Sequence, residues 1–229
     1  MSQRIALIPA RGGSKRLPRK NILDFLGKPM IAYTIEAALD AHCFDAVVVS
    51  TEDDEIATIA EQYGATVDQR PKELATDIST VTDVCLEYLQ RNSVSTLAVL
   101  YATAPLRSAE DIKSVVNLLS DDCDFSMAVS LCERPLHQLL KYQNGAVSPV
   151  FPDWVGKRSD EVGLFCLGNG STYAVKVDEF VRQKTFYGHL MKAYLMPSSR
   201  SVDIDTLEDY DKAIYHAKKL FSLATDEIA

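Results

Sequence analysis

An α/β fold with a mostly parallel sheet and helices on both faces is predicted by two features of the chain. Short apolar runs alternate with amphipathic segments of helical length along most of the 229 residues, which is the pattern of successive βαβ units. Polar stretches follow the apolar runs, as expected where ligands bind at the carboxyl ends of parallel strands. The length and the 47% apolar content suit one large domain over 1–229.

The first half of the chain predicts four strands and three helices. The apolar runs predict strands over 5–8, 46–50, 65–67 and 96–101. A helix over 29–41 is expected to begin with Pro29 in its first turn and to bury one apolar face. A polar turn over 51–54 should cap a helix over 55–63 that ends at Gly64. A third helix, over 80–92, places Val84 and Tyr88 inward.

The second half is regular at its two ends and irregular between them. A helix over 111–119 and a strand over 125–131 come first, and a strand over 172–175 and a helix over 208–220 come last. Between them, 134–170 loses its periodicity and contains the single tryptophan, Trp154. We expect this stretch to form a loop-rich or hairpin insertion within the domain.

Composition excludes several classes of function. The net charge of −8 argues against nucleic acid as a main partner, because duplex binding needs an extended basic surface. No apolar stretch reaches the ~20 residues of a membrane span and no signal-peptide pattern is present, so we expect a cytoplasmic protein without a membrane partner. The five scattered cysteines lack zinc spacing and are expected to be buried or half-buried free thiols.

A cationic glycine loop directly follows the first predicted strand. Gly12 and Gly13 should adopt backbone conformations closed to other residues and bring amide N–H groups close to an anion. Five cations surround them, namely Arg11, Lys15, Arg16, Arg19 and Lys20. The loop lacks both the P-loop and the dinucleotide-binding glycine patterns. It predicts a triphosphate site, and the alternative is a basic surface turn beside a strand.

Two aspartates near the end of the chain are candidate magnesium ligands. If 202–205 is extended, Asp203 and Asp205 point to the same face and can share one hard divalent cation. A magnesium ion there could offset the charge on a departing pyrophosphate. The alternative is that Asp205 and Thr206 cap the helix over 208–220. That cap would leave Asp203 without an explanation, so we favour the metal site.

Five segments together resemble the acylneuraminate cytidylyltransferases, that is, CMP-sialic acid synthetases and their bacterial relatives. In chain order they are IPARGGSKRLPRKN over 8–21, QRPKELA over 69–75, TAPLR over 103–107, NGSTY over 169–173 and SVDIDT over 201–206. The resemblance spans nearly the whole chain, and it is most specific at the two ends. It implies a Rossmann-like nucleotide-diphospho-sugar transferase fold, in a homodimer, that transfers CMP from CTP to the anomeric hydroxyl of a nonulosonic acid.

The same resemblance assigns roles to residues by position. It implies that the nucleotide is held by Ala10 through its backbone and by Arg11, Ser14, Lys15, Lys20, Asn21 and Arg70. Lys20 or Arg11 would stabilise charge on the α-phosphate, as phosphoryl transfer requires. Asp203 and Asp205 would hold Mg²⁺, and one of them, with Asp205 as the catalytic candidate, would accept the proton of the attacking hydroxyl. The 134–170 insertion would contribute to dimerisation and sugar binding.

The predicted sugar contacts differ from the pattern of the sialic-acid members. Tyr101 and Ala102 stand where those members carry Gln-Pro, and His137 stands where they carry a lysine that pairs with the substrate carboxylate across the dimer. A histidine can replace that lysine only when it is protonated. The sequence around Tyr101 resembles that of the family members that act on pseudaminic acid. The sequence from Asn169 to Tyr173 resembles that of the members that act on sialic and legionaminic acids. The substrate class is therefore nonulosonic acid, and the particular sugar stays open.

Other residues and other functions stay as alternatives. Arg158 could clamp the sugar carboxylate or form a solvated surface pair, and Trp154 with Phe151 and Phe165 could line the sugar pocket or a dimer contact. Arg107 could cap the turn that follows it through Glu110 or Asp111. The competing functions are a nucleotidyltransferase for another sugar or for an eight-carbon keto acid, and a non-catalytic CTP sensor.

Overall fold

The computed structural model describes residues 3–226 as a central sheet covered by helices. In its first half the elements are β1 (Gln3–Pro9), β2 (Asp24–Phe25), β3 (Lys28–Pro29), α1 (Met30–Asp40), β4 (Ala46–Thr51), α2 (Asp54–Gln62), β5 (Thr66–Gln69), α3 (Val81–Arg91) and β6 (Val94–Leu100). In its second half they are α4 (Ala109–Val116), β7 (Phe125–Leu131), β8 (Leu140–Gln143), β9 (Ala146–Pro149), α5 (Ser159–Val162), β10 (Cys166–Lys176), α6 (Val177–Gln183), β11 (Met191–Leu195) and α7 (Leu207–Asp226).

Seven strands form the main sheet in the order β11-β7-β10-β6-β1-β4-β5. Strands β4 and β6 run parallel to β1 on its two sides, β5 is parallel to β4, and β11 is parallel to β7. Only β10 is antiparallel to its neighbours, β6 and β7. The predicted α/β fold with a mostly parallel sheet is confirmed. Because β10 runs in reverse, its middle, at Ser171 and Thr172, lies beside the carboxyl end of β6.

The core lies on both faces of this sheet, since alternate side chains of a strand point in opposite directions. Ala6 and Ile8 of β1 pack with residues of α1, α2 and α4, whereas Ile5 and Leu7 pack with residues of α3 and α6. These four side chains are fully or almost fully buried. Burying an isoleucine or leucine contributes roughly 1.5–3 kcal/mol each, so the apolar run after the N-terminus anchors the strand that carries the cationic loop.

Several element boundaries differ from the predictions. Helix α1 begins at Met30, and Pro29 is its N-cap instead of a first-turn residue. Strand β10 begins at Cys166, so the sheet already includes the last part of the predicted 134–170 insertion. Its start escaped prediction because Gly168 and Gly170 interrupt the apolar pattern. Helix α6 and strand β11 were missed, because α6 has only seven residues and β11 is a largely exposed edge strand.

The rest of the insertion projects from the sheet as a hairpin with short helical turns. Strands β8 and β9 pair in antiparallel fashion, and every residue of both is exposed. Cys85 and Cys123 are buried and Cys43 and Cys132 half-buried, as predicted, whereas Cys166 at the start of β10 is exposed. Within 3–226, no helix is long and apolar enough to cross a bilayer.

Candidate functional site

The loops at the carboxyl ends of the parallel strands meet at one edge of the sheet. Backbone hydrogen bonds join them: the Ala10 amide donates to the Ser50 carbonyl at 3.0 Å, and the Arg70 amide donates to the Thr51 carbonyl at 3.0 Å. Ala10 is completely buried, so only its backbone could serve the predicted nucleotide contact. This edge brings together the loops that follow β1, β4, β5 and β6, as the sheet order predicts.

The cationic loop is paired with the segment that follows β5. Arg11 Nη1 donates to the Thr76 carbonyl at 2.8 Å and lies 3.1 Å from Asp77 Oδ1. Lys15 forms an ion pair with the other oxygen of Asp77. The hydrogen bond from Lys15 is the main cause that holds the pKa of Asp77 below its usual range, and the positive charges of Lys15 and Arg11 add to it. A cavity of about 310 Å³ lies between them and is lined by Ser14 as well.

A second carboxylate pairs with two more cations of the same loop. Lys20 Nζ lies 2.6 Å from Asp205 Oδ1, and Arg16 Nη2 lies 2.6 Å from Asp205 Oδ2. Burial raises the pKa of Asp205, but the hydrogen bond and charge of Lys20, with the charge of Arg16, outweigh burial and lower the pKa. The predicted meeting of the N-terminal loop with the C-terminal aspartates therefore occurs directly, across 185 residues.

Asp205 is free for this pairing because another residue caps helix α7. The Thr206 hydroxyl accepts from the Asp209 amide at 3.2 Å, and the Asp209 carboxylate accepts from the Thr206 amide at 3.0 Å. This reciprocal pair is a capping box. The alternative in which the Asp205 side chain serves as the cap is therefore wrong.

Gly12 is needed for close packing, whereas a Cβ on Gly13 would meet no atom within 4 Å. Neither Gly12 nor Gly13 has a positive φ among the described residues, so the prediction of special conformations is wrong. A Cβ on Gly12 would collide with the Asp53 carboxylate and would lie 3.1 Å from Arg19 Nη1. Arg19 is paired with Asp53, the N-cap of α2, and with Glu55. This cation therefore braces the loop, leaving the other four at the cavity.

Asn21 and Arg70 line a second cavity, of about 250 Å³, together with Arg11, Lys20 and Tyr101. Asn21 Nδ2 donates to the Arg11 carbonyl at 2.9 Å. The Arg70 guanidinium is buried, donates to Glu52 Oε2 at 2.8 Å and has an unpartnered Nε. The residues predicted to bind the nucleotide therefore line two adjoining cavities.

Glu52 links the cationic loop to Arg70, and the sequence analysis gave it no role. Its Oε1 accepts from the Gly12 amide at 2.8 Å while its Oε2 accepts from Arg70. The Gly12 N–H, predicted to approach an anion, is therefore satisfied by a carboxylate of the chain itself. Glu52 and Asp77 could have been found from one signal, since both follow strands whose carboxyl ends meet the cationic loop.

Asp203 is half-buried at this edge, and one of its carboxylate oxygens is buried and unpartnered. Its Oδ1 has no hydrogen-bond partner, and its Oδ2 would lie 2.5 Å from a Cβ on Gly170. Burial raises the pKa of Asp203, and the hydroxyl of Thr103 opposes that rise. The Ile204 amide between the two aspartates donates to the Thr103 carbonyl at 2.8 Å. A buried carboxylate oxygen without a partner is costly, and this oxygen is available to a ligand.

Arg107 connects three elements beneath Asp203 and does not cap the turn that follows it. Its guanidinium is completely buried and donates to the Ser171 and Tyr101 carbonyls and, at 2.8 Å, to the Thr34 hydroxyl. Burial lowers its pKa to about 9, with the charges of Asp203 and Asp111 opposing the fall. The predicted cap through Glu110 or Asp111 is wrong, because Arg200 pairs with Asp111.

The predicted sugar residues separate into two groups. Tyr101 and Tyr173 pack together with ring centroids 5.7 Å apart, next to Asp203. Burial raises the pKa of Tyr101 to about 12. Asn169 is buried nearby, and its amide is already bonded to Ser201 Oγ at 3.0 Å and to the Ser171 amide at 3.1 Å. The sugar contacts of these three residues stay predictions.

His137 and Arg158 lie away from the nucleotide cavities, in the insertion. His137 lines a separate cavity of about 380 Å³, and its buried Nδ1 has no partner. Arg158 is exposed and pairs with Asp160 at 2.6 Å, the arrangement of a solvated surface pair. Phe151, Trp154 and Phe165 stack on one another, with centroids 4.3 and 5.4 Å apart.

Comparisons with known proteins agree with this geometry. A sequence profile described as cytidylyltransferase matches residues 5–141. A pseudaminic acid cytidylyltransferase of Campylobacter jejuni is 34% identical over 91% of this chain and 94% of its own length. A CMP-N,N'-diacetyllegionaminic acid synthase of Legionella pneumophila is 36% identical over 90% of this chain and 92% of its own length.

A solved structure has the same fold. It is the structure of a CMP:2-keto-3-deoxy-manno-octonic acid synthetase complexed with CTP, and it covers 95% of this chain and 99% of its own. The TM-score is 0.69 at 20% sequence identity. The likeness supports the α/β nucleotidyltransferase architecture.

Proposed function

The chain belongs to the cytidylyltransferase family, and from this membership we propose that it transfers CMP from CTP to the anomeric hydroxyl of a nonulosonic acid, releasing pyrophosphate. The observation that carries the proposal is the meeting of the cationic loop with Asp203 and Asp205 at one edge of the sheet. Relatives that act on pseudaminic and legionaminic acid support the class of sugar.

The nucleotide is proposed to occupy the two connected cavities beside the cationic loop. Arg11, Lys15 and Lys20 face the 310 Å³ cavity and supply charge for the triphosphate, with Ser14 as a further donor. Asn21 and Arg70 face the adjoining cavity and are placed for the ribose and base. Fixed donors of this kind stabilise the charge that develops during phosphoryl transfer and need no covalent intermediate.

Asp203 and Asp205 are proposed to hold Mg²⁺. Within 3–226 no group of three or more histidine, cysteine or acidic side chains forms a metal cage. A pair of carboxylates suits magnesium, which is commonly held by one or two carboxylates together with substrate phosphates and water. The unpartnered Oδ1 of Asp203 fits such an ion. A bound Mg²⁺ would supply charge compensation for the departing pyrophosphate.

In the reaction we propose, the sugar hydroxyl oxygen bonds to the α-phosphorus as the bond from that phosphorus to the bridging oxygen of pyrophosphate breaks. Asp205 is the candidate acceptor of the hydroxyl proton. Lys20 or Arg11 stabilises charge on the α-phosphate. Tyr101 and Tyr173 form an apolar wall beside Asp203, and we propose that the sugar lies against it with Asn169 at its margin.

We further propose a homodimer formed through the insertion. Leu140, Tyr142 and Val147 of the β8–β9 hairpin are exposed apolar side chains, and a contiguous apolar surface of this kind commonly marks a protein interface. Since His137 and Arg158 lie outside the nucleotide cavities of their own chain, their contact with the sugar would be made in the active site of a partner subunit. A cytoplasmic location is consistent with this chemistry.

Pyrophosphate release tests the proposed reaction. Purified protein with Mg²⁺ and CTP is incubated with N-acetylneuraminic, legionaminic or pseudaminic acid, or with the eight-carbon keto acid, and ATP, GTP and UTP replace CTP as controls. We expect CTP-dependent release with one nonulosonic acid. Release with the eight-carbon acid alone would move the assignment to that substrate, and CTP binding without release would favour a sensor.

A further inference from the structure

Two carboxylates hold four cations of the loop in pairs. Asp77 holds Arg11 and Lys15, and Asp205 holds Lys20 and Arg16. The charges proposed to receive a triphosphate are therefore partly offset within the chain, by two carboxylates against four cations. An arriving anion must replace a carboxylate at each pair, and this replacement subtracts from its affinity.

The two carboxylates differ in their surroundings. Asp77 is in the exposed segment between β5 and α3, with a side chain that is 47% exposed. Asp205 is 31% exposed and is two residues from Asp203, whose Oδ1 is buried and unpartnered. Both oxygens of Asp205 are occupied, one by Lys20 and one by Arg16, each at 2.6 Å. A ligand of Asp203 that also needs an oxygen of Asp205 must therefore compete with one of these cations.

We propose that Asp205 exchanges Lys20 and Arg16 for the divalent cation, so that both side chains become free to bind the triphosphate only when the metal is bound. This inference rests on the proposed function. An ammonium group and a divalent ion on the same carboxylate repel each other, so the exchange follows from their charges. Lys20 carries most of the effect, because its side chain is 19% exposed and that of Arg16 is 66% exposed.

The exchange makes metal and triphosphate binding cooperative in both directions. If metal at Asp205 strengthens triphosphate binding, then the triphosphate must strengthen metal binding by the same factor. Asp77 has no such dependence, since neither of its pairs involves the aspartates near the end of the chain. Phosphate binding by the cations paired with Asp205 should therefore depend on the metal, whereas phosphate binding by the cations paired with Asp77 should not.

Calorimetric titration of the full chain with CTP, in EDTA and in excess Mg²⁺, tests the exchange. In EDTA, Asp205→Asn should bind CTP about fivefold more tightly than the wild type, the size expected for releasing a partly buried ion pair. Mg²⁺ should add little to that variant. Inorganic tripolyphosphate, used as a second ligand, should give the same pattern because the loop holds phosphates and not the base.

Three matched variants separate the exchange from a general change in charge. Asp77→Asn should bind CTP more tightly than the wild type by a similar factor with and without Mg²⁺. Asp203→Asn should lose the Mg²⁺ enhancement. Glu208→Gln removes a nearby exposed charge that pairs with Lys212, and it should change neither affinity. Circular dichroism melting curves show that each variant is folded.

The inference is overturned if Asp205→Asn in EDTA binds tripolyphosphate no more tightly than Glu208→Gln does. It is also overturned if Asp205→Asn retains the full wild-type enhancement by Mg²⁺. The tripolyphosphate titration gives this answer whichever base the protein prefers. Failure of the proposed function is seen separately, as absence of CTP-dependent pyrophosphate release by the wild type.

Discussion

Single side chains at the strand ends form the candidate site of this protein, and each is placed by an identifiable contact. Asp203 packs so closely on Gly170 that no side chain fits there. Arg107 fixes the backbone on both sides of that contact through the Tyr101 and Ser171 carbonyls. Glu52 bridges Gly12 and Arg70. Fixed polar groups of this kind are preorganised, which is what electrostatic catalysis requires.

Asp203→Asn is expected to abolish most of the catalysis without changing the fold. It removes a carboxylate charge from the proposed metal site, and loss of a group that stabilises transition-state charge commonly lowers turnover about 100- to 1,000-fold. Pyrophosphate release measures the loss, and thermal unfolding measures stability, with Glu208→Gln as the control. A variant that unfolds instead would make Asp203 a structural residue.

Gly170→Ala tests the close contact with Asp203. Gly170 has a φ of +66°, and an added Cβ would lie 2.5 Å from Asp203 Oδ2. We expect a large loss of pyrophosphate release, because the aspartate must move. Gly27→Ala is the matched control, since Gly27 has a φ of +87° with no atom within 4 Å of the added Cβ. In both variants the left-handed backbone conformation of the alanine costs about 1 kcal/mol of folding stability. Only Gly170→Ala should lose activity. Equal activity in the two would contradict the packing argument.

Helix α4 shows how a secondary-structure element is fixed to the sheet edge by one buried carboxylate. Asp111 completes a capping box with Ser108. It also accepts two hydrogen bonds from Arg200, at 2.7 and 2.9 Å, and one from Tyr194 at 3.1 Å. The carboxylate therefore joins the start of α4 to β11 and to the chain leading to Asp203. Its position next to the site makes this element a support for the site.

The Asp111 contacts should make stability fall in acid. Burial raises the pKa of Asp111, but the hydrogen bond from Arg200 and those from Ser108 outweigh burial and lower the pKa. A carboxyl with a lowered folded-state pKa stabilises fully above its unfolded value, about 4, and this stability is lost as the pH falls further. Denaturant unfolding at pH 7 and at pH 3 measures the effect.

Asp111→Asn gives the comparison. Removing one partner of a buried ion pair costs about 3–5 kcal/mol, so this variant should be less stable than the wild type at pH 7. The difference should shrink at pH 3, because below about pH 4 the Asp111 carboxyl of the unfolded wild-type chain takes up a proton and the wild type loses part of this stability. A difference that stays constant between the two pH values would show that Asp111 does not supply the pH dependence.

The domain as a whole combines a well-packed sheet with an insertion that covers little of its own apolar surface. Clusters of buried side chains lie on both faces of the sheet, whereas Leu140, Tyr142 and Val147 of the hairpin are 53–73% exposed. A two-stranded hairpin is marginally stable alone. Its apolar residues therefore suit a second copy of the chain.

Tyr142→Glu is expected to convert the proposed homodimer into a monomer. A charge in the centre of an apolar interface is costly to bury. Sedimentation velocity compares the variant with the wild type and with Tyr215→Glu, which changes a comparably exposed tyrosine on α7. A wild type that sediments as a monomer at micromolar concentration would remove the dimer and the proposed role of His137 in a partner subunit.

The sequence was sufficient to predict the βαβ order and to identify the cationic loop and the pair of aspartates, because periodicity and clustered charge are local properties. Prediction from the sequence failed where the partners of a side chain or a strand come from distant segments of the chain. The Asp77 and Glu52 contacts, the buried position of Arg107, and the start of β10 at Cys166 depend on which strands become neighbours. The physical reason is that the residue type alone determines the charge of a side chain. Its hydrogen-bond partner, its burial and its pKa depend on residues that come close to it only when the sheet forms.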